Sequence, residues 1–209
     1  MVRNRVSAAV ERALDERHRE ASDEVERILV AAIRVMERVT PDAPRVDDIV
    51  AEAGSSKKAF YKYFAGKDDL LLAIMERGVA IIVSYLEHQM AKESQPQDKI
   101  ARWIEGTLAQ VADPQLVSMS RAALNQMSTT ARTGPADDIM APMRDLLVEP
   151  ATALGGSDPQ RDAEGVFQLT SATLRKYVGS TEAPSTSDID HLVRFCLGGL
   201  GVTRKDDPR

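Results

Sequence analysis

An all-α fold is predicted by three observations. Apolar residues recur at three- and four-residue steps along most of the chain. No segment alternates apolar and polar residues at a period of two. Prolines and glycines cut the helical stretches into about nine pieces. Composition agrees, since Ala, Arg, Val, Asp and Leu abound, aromatics make up 4% of the chain, and β-branched runs are lacking.

Residues 1–21 mix acids and bases over a weak helical pattern. Two accounts stay open for them, a frayed solvated terminus or a basic arm in which Arg3 and Arg5 reach DNA. From Asp23 the period sharpens, and Val25, Ile28, Leu29, Ala32, Ile33, Met36 and Val39 fall on one face. Thr40-Pro41-Asp42-Ala43-Pro44 ends this helix, because two prolines cannot continue it. A short helix with Val46, Ile49, Val50 and Ala53 inward stops at Gly54, a residue free to take the left-handed conformation. Another runs from about Ser56 to Phe64, and a long one opens at Lys67-Asp68-Asp69.

Beyond Met90, Pro96 is expected to end one segment, and Asp98 to Val111 to form the next. Asp113-Pro114 and Asp158-Pro159 read as an N-cap followed by proline at the first helical position. A helix starting at Gly134-Pro135 is expected to be interrupted by Pro142 and Pro150 and to end at Gly155-Gly156. The helix from Asp158 reaches about Tyr177, and the last one spans Asp188 to about Leu200.

At 209 residues the chain is long enough for one large domain or two small ones with a real core. Its single cysteine, Cys196, excludes an internal disulfide and a thiolate metal cluster. The three histidines share no metal-ligand spacing. No Ser/His/Asp or Cys/His set has interpretable spacing, and the Gly-Gly-Leu-Gly near the C-terminus follows no strand. Neither a catalytic residue, a metal nor a cofactor is therefore expected. The first twenty residues hold no long apolar stretch, and nothing approaches 18 uninterrupted apolar residues, so a cytoplasmic protein without a membrane partner is expected.

The formal charge is −5, yet between Ser55 and Lys67 stand four lysines, four aromatic rings and no acid. Two short helices joined by a turn with glycine form a helix-turn-helix pattern, whose second helix enters the major groove. With Ser56 to Phe64 helical, Phe60 and Phe64 share one side and can pack inward. Lys57 with Tyr61, and Lys58 with Lys62, then fall on the other side. Ammonium groups neutralise phosphates and tyrosine hydroxyls donate to phosphate oxygens. Ser55 and Ser56, at the turn and helix start, are placed to donate to a phosphate as well.

The span from about Asp23 to Gly78 resembles the DNA-binding domain of the tetracycline-repressor (TetR) family of bacterial transcriptional regulators. The family pattern of Ala-Gly, Tyr-x-(His/Tyr)-Phe, a lysine and a leucine pair is matched by Ala53-Gly54, Tyr61-x-Tyr63-Phe64, Lys67 and Leu70-Leu71. The resemblance implies that Tyr61 touches the DNA backbone, that Tyr63 lies at the same surface, and that Lys67 meets a phosphate. Two positions depart from the pattern. Arg45 stands where Thr or Ser often caps the second helix; it is a poorer cap but able to contact phosphate. Lys58-Ala59 replaces glycine-threonine at the opening of the recognition helix, exchanging a phosphate contact for a lysine able to reach guanine N7/O6.

The resemblance further implies a homodimer built on the last two helices, a double-stranded and palindromic or pseudo-palindromic operator, and a small-molecule effector. The implied organisation is an extension over 1–21, a DNA-binding domain over 22–82 with its helix-turn-helix at about 45–64, and an effector-binding and dimerisation domain over 83–209. Candidate pocket residues are Trp103, Met119, Met127, Met140, Met143 and Phe167, although any single one of them reads more readily as ordinary core. A hydrophobic effector that releases a repressor is the expected function; the alternative is a regulator controlled by a protein partner or by nothing. Cys196 is expected to be a small apolar core or interface residue.

Overall fold

The computed structural model describes residues 5–39, 42–109, 135–178 and 182–202. Among these residues every regular element is a helix: α1 (Arg5–Val39), α2 (Val46–Glu52), α3 (Lys57–Tyr63), α4 (Lys67–Met90), α5 (Pro96–Ala109), α6 (Pro135–Asp145), α7 (Val148–Ala153), α8 (Pro159–Val178) and α9 (Thr186–Gly199). The chain divides into two compact units, Met1–Ile74 and Met75–Arg209, and α4 runs through the division.

In the first unit α1 is a single helix of 35 residues. It begins at Arg5 rather than near Asp23, which corrects the sequence reading. The apolar period fades upstream of Val25 because Val10 and Leu14 stand exposed there, with no core to face. Helix nonetheless extends through Ala, Glu, Arg and Leu, which propagate cheaply from a turn already nucleated. Downstream, Ile28, Ala32 and Val35 are fully buried and Leu29 and Met36 nearly so. Against α1 packs α2, whose Ile49 and Val50 are buried, and against α2 packs α3, whose Phe60 is fully buried. Arg34 and Arg38 on α1 both reach Glu52 at the end of α2.

Arg45 occupies the N-cap of α2 and makes no side-chain cap bond, while Asp47 and Asp48 in the first turn suit the positive end of the helix. Gly54 follows the C-cap with φ +60, a conformation that a side chain disfavours, and so turns the chain from α2 towards α3. Ser56 caps α3, its Oγ accepting from the Ala59 amide at 3.1 Å.

The core of the second unit gathers Leu86 from α4, Ile100, Trp103, Ile104 and Leu108 from α5, Met143 from α6, Leu147 at the N-cap of α7, Val166 and Phe167 from α8, and Val193, Cys196 and Leu197 from α9. Pro96 opens α5 instead of ending a segment; proline stops helices and starts them with equal ease, since the first helical N–H has no partner in any case. The interruption expected at Pro142 is absent, since Pro142 lies inside α6, and the break falls at Leu146-Leu147 with Pro150 inside α7. The break lies four residues before Pro150, where the proline ring would strike the carbonyl. Gly106 lets α4 and α5 approach closely, because a Cβ there would stand 2.7 Å from Leu86 Cδ2 and 3.3 Å from Tyr85 Cε1. Asp158 caps α8 through the Arg161 amide, and α9 starts with a reciprocal Ser185–Asp188 capping box. The hydrogen bonds from Ser185 hold the Asp188 carboxyl below its ordinary range.

Candidate nucleic-acid interface

Phe60 orients α3. Its ring is fully buried, 5.2 Å from Tyr61 in an edge-to-face arrangement and 5.6 Å from Phe64 in a tilted one. With this side anchored, Lys57, Lys58, Tyr61 and Lys62 stand exposed together. Lys67, at the start of α4, and Arg45, at the cap of α2, are exposed too. The side chains of Lys58, Lys67 and Arg45 and the Tyr61 hydroxyl make no hydrogen bond or ion pair among the described residues.

Other candidates have partners inside the unit. Lys57 Nζ meets Asp47 Oδ1 at 2.7 Å, and this hydrogen bond raises the lysine pKa, so its charge persists at any physiological pH. Both side chains are more than half exposed, so water and salt screen the pair and a phosphate can compete for the ammonium. Lys62 Nζ donates to Tyr63 Oη at 2.8 Å and lies 4.5 Å from the centre of that ring; the hydrogen bond raises its pKa as well.

Tyr63 is half-buried, and its hydroxyl donates to Glu24 Oε2 at 3.0 Å. The proton expected to face DNA is thus used within the unit, and Tyr63 offers its oxygen as an acceptor instead. Ser55 is likewise half-buried and donates to Glu24 Oε1 at 3.2 Å. Ser56 differs: its oxygen accepts from a backbone amide, which leaves the hydroxyl proton available to an outside acceptor. The nine sequence-predicted residues therefore lie on α3 or at the helix ends and turns beside it, with Ser55 and Tyr63 turned towards α1. Glu24 and Asp47, which hold three of them, were not foreseen. Asp47 sits in an acidic first turn that reads locally as a dipole partner, and Glu24 lies 31 and 39 residues from its two donors, a separation that leaves no periodic signal.

Of the candidate effector residues, Trp103, Met143 and Phe167 lie in the core of the second unit and Met140 packs against it half-buried. The Trp103 indole donates to the Met143 carbonyl at 3.0 Å, and its ring lies 6.3 Å from Phe167. Met119 and Met127 lie outside the described residues. Cys196 is buried, and burial pushes its thiol up to about 11, which keeps it protonated and inert near neutrality. No group of three or more His, Cys, Asp or Glu able to hold a metal occurs among the described residues, nor is any described helix long and apolar enough to cross a membrane.

Residues 28–74 match the sequence profile of the bacterial regulatory proteins of the tetR family. Two Bacillus subtilis proteins described as HTH-type transcriptional regulators are similar over short stretches: YvdT, 40% identical over 58 residues, and YwcC, 46% identical over 56. These matches take in 28% and 25% of this chain, and the chain spans only 30% and 25% of the length of those relatives. Solved structures resemble far more of it. The fatty acid degradation regulator FadR from Bacillus halodurans matches 85% of this chain and 96% of its own with a TM-score of 0.65 at 18% identity. FadR from Bacillus subtilis, solved in complex with stearoyl-CoA, matches 84% and 96% with a TM-score of 0.62 at 17% identity. A TetR transcription regulator from Haloarcula marismortui matches 86% and 97% with a TM-score of 0.65 at 17% identity. At such identities the likeness is one of fold.

Proposed function

We propose that this chain, whose residues 28–74 match the profile of the tetR family of bacterial regulatory proteins, is a dimeric repressor of that family that leaves its operator when a small hydrophobic effector binds. The observation that carries the DNA-binding part is the exposed patch of Lys57, Lys58, Lys62 and Lys67 around an anchored seven-residue helix, in a chain whose net charge is −5. Focused positive charge lets an acidic protein meet a polyanion. On this reading Arg45, Ser56, Lys57, Tyr61, Lys62 and Lys67 meet phosphates, while Lys58, at the opening of α3, faces base edges. Residues 22–82 form the DNA-binding domain and 83–209 the effector and dimerisation domain. Lysines that meet phosphates release counterions, so log–log salt titration of duplex binding should slope steeply downward. Lys57→Ala and Lys62→Ala should each flatten that slope by about 1, the share of a single neutralised phosphate. Unchanged slopes in both variants would sink this assignment of the lysine face.

Dimerisation is supported by the outward faces of α8 and α9. Leu169 is 42% exposed and Phe195 61%, while Val166, Val193 and Cys196 on the same helices are already buried. A large apolar ring left to solvent on the last helix suits a self-complementary interface. Phe195→Asp should give a folded monomer in sedimentation; a persisting dimer contradicts this interface. In the dimer the two α3 helices should lie about 34–36 Å apart, or a multiple of it, to reach successive major grooves.

For the effector, the apolar and sulfur-rich character of Trp103, Met140, Met143 and Phe167 favours a hydrophobic molecule. Stearoyl-CoA in the Bacillus subtilis FadR makes long acyl chains the first class to screen. A ligand preferring a conformation with wrongly spaced α3 helices weakens DNA binding by the same coupling free energy, typically about 1–3 kcal/mol. The tight burial of Trp103, Met143 and Phe167 also keeps a regulator without any small-molecule ligand as the second reading. Protection of purified protein against thermal unfolding by an acyl ligand decides between them.

A further inference from the structure

A helix of seven residues cannot hold its shape unaided. Phe60 fastens the middle of α3 to the core, and Phe64 at its C-cap is buried beside it. Lys57 at its start is paired with Asp47 of α2 at 2.7 Å, and one carboxylate of α1 meets both flanks of the helix. Glu24 of α1 accepts from Ser55 in the turn before α3 at 3.2 Å through one oxygen, and from Tyr63, the last residue of α3, at 3.0 Å through the other. Tyr63 in turn accepts from Lys62 at 2.8 Å. Hydrogen bonds to a charged acceptor are among the stronger ones a protein makes, and these are partly shielded from water.

We propose that Glu24 is a positioning residue for DNA recognition: it sets the tilt of α3 from both ends and, by accepting the hydrogen bond from Tyr63, leaves the phenol oxygen to Lys62 and so fixes where that ammonium stands. The inference rests on reading α3 as the recognition helix. Two effects of the carboxylate have opposite signs. Its negative charge near the DNA-facing patch repels every duplex alike, whereas its hold on α3 favours only the duplex for which the helix is aimed. Removing Glu24 should therefore erode discrimination without weakening binding in general.

The test compares a duplex selected by wild-type protein from a random library with a random-sequence duplex at one salt concentration. In Glu24→Ala and in Tyr63→Phe the ratio of the two affinities should fall by about tenfold, a coupling of ordinary size for residues in one network. The double variant should be no worse than the poorer single one. Binding to the random duplex should hold or rise, and Glu24→Gln, which keeps one acceptor, should fall between. Amide hydrogens of residues 60–64 should exchange faster in Glu24→Ala. An unchanged ratio, strictly additive losses, or equal losses on both duplexes that track Tm would overturn the proposal, the last because it marks plain destabilisation. Tyr63→Phe carries the test should Glu24→Ala fail to fold. If wild-type protein selects no duplex at all, the DNA-binding reading itself falls and this inference with it.

Discussion

Phe60→Ala should destabilise the N-terminal unit by about 3–5 kcal/mol, the usual cost of emptying a buried phenyl site. Phe60 is the largest fully buried side chain of that unit, and its ring touches both Tyr61 and Phe64. The seven-residue helix has no other large buried residue within its bounds. The cavity is thus unlike one in a long helix, where neighbouring turns share the load. The loss should show first as detachment of α3, so duplex binding should vanish even where circular dichroism still reports folded α1. Phe60→Leu retains most of the apolar packing and should cost about 1–2 kcal/mol. Denaturant unfolding followed by circular dichroism, together with duplex binding of each variant, checks both values. Near-wild-type stability and binding in Phe60→Ala would show that α3 is held by something other than this ring.

Trp103→Ala should cost the second unit a similar amount, about 3–5 kcal/mol, and Trp103→Phe about 1–3 kcal/mol. The second figure separates the hydrogen bond from the packing. Phenylalanine fills much of the site but leaves the Met143 carbonyl, now served by the indole at 3.0 Å, without a donor in a buried place. Trp103 is the chain's single tryptophan and belongs to the unit Met75–Arg209, so its fluorescence follows that unit alone. Native emission should be blue-shifted, since the side chain is 0% exposed. A red-shifted native spectrum, or a Trp103→Ala protein of unaltered stability, would place the ring against an open space rather than in the core.

The sequence carried most of the helices because their ends are chemically marked. Gly54 after α2, the Asp158 cap before α8 and the Ser185 cap before α9 each mark a boundary by supplying what a helix end lacks. Pro96 misled because proline marks starts and stops alike. The first half of α1 was illegible for another reason. Periodicity reports burial, and residues 5–27 bury little, so a helix extended from its buried half leaves no pattern to read. The patch on α3 was legible through crowded lysines and rings in an acidic, aromatic-poor chain. The inward turn of Ser55 and Tyr63 was not, since it depends on Glu24, a partner that only the tertiary fold brings near. Trp103, Met143 and Phe167 stood out as large and soft, but size and softness serve a core and a pocket equally well, and only packing tells them apart.

Whether this chain reads a specific DNA sequence is decided by selecting duplexes from a random-sequence library with the purified, unmodified protein. A palindromic or pseudo-palindromic site with half-sites about one helical turn apart or a multiple of it should be enriched and bound with a steeply negative salt slope. Recovery of no sequence above background, or binding that ignores salt, would contradict this expectation.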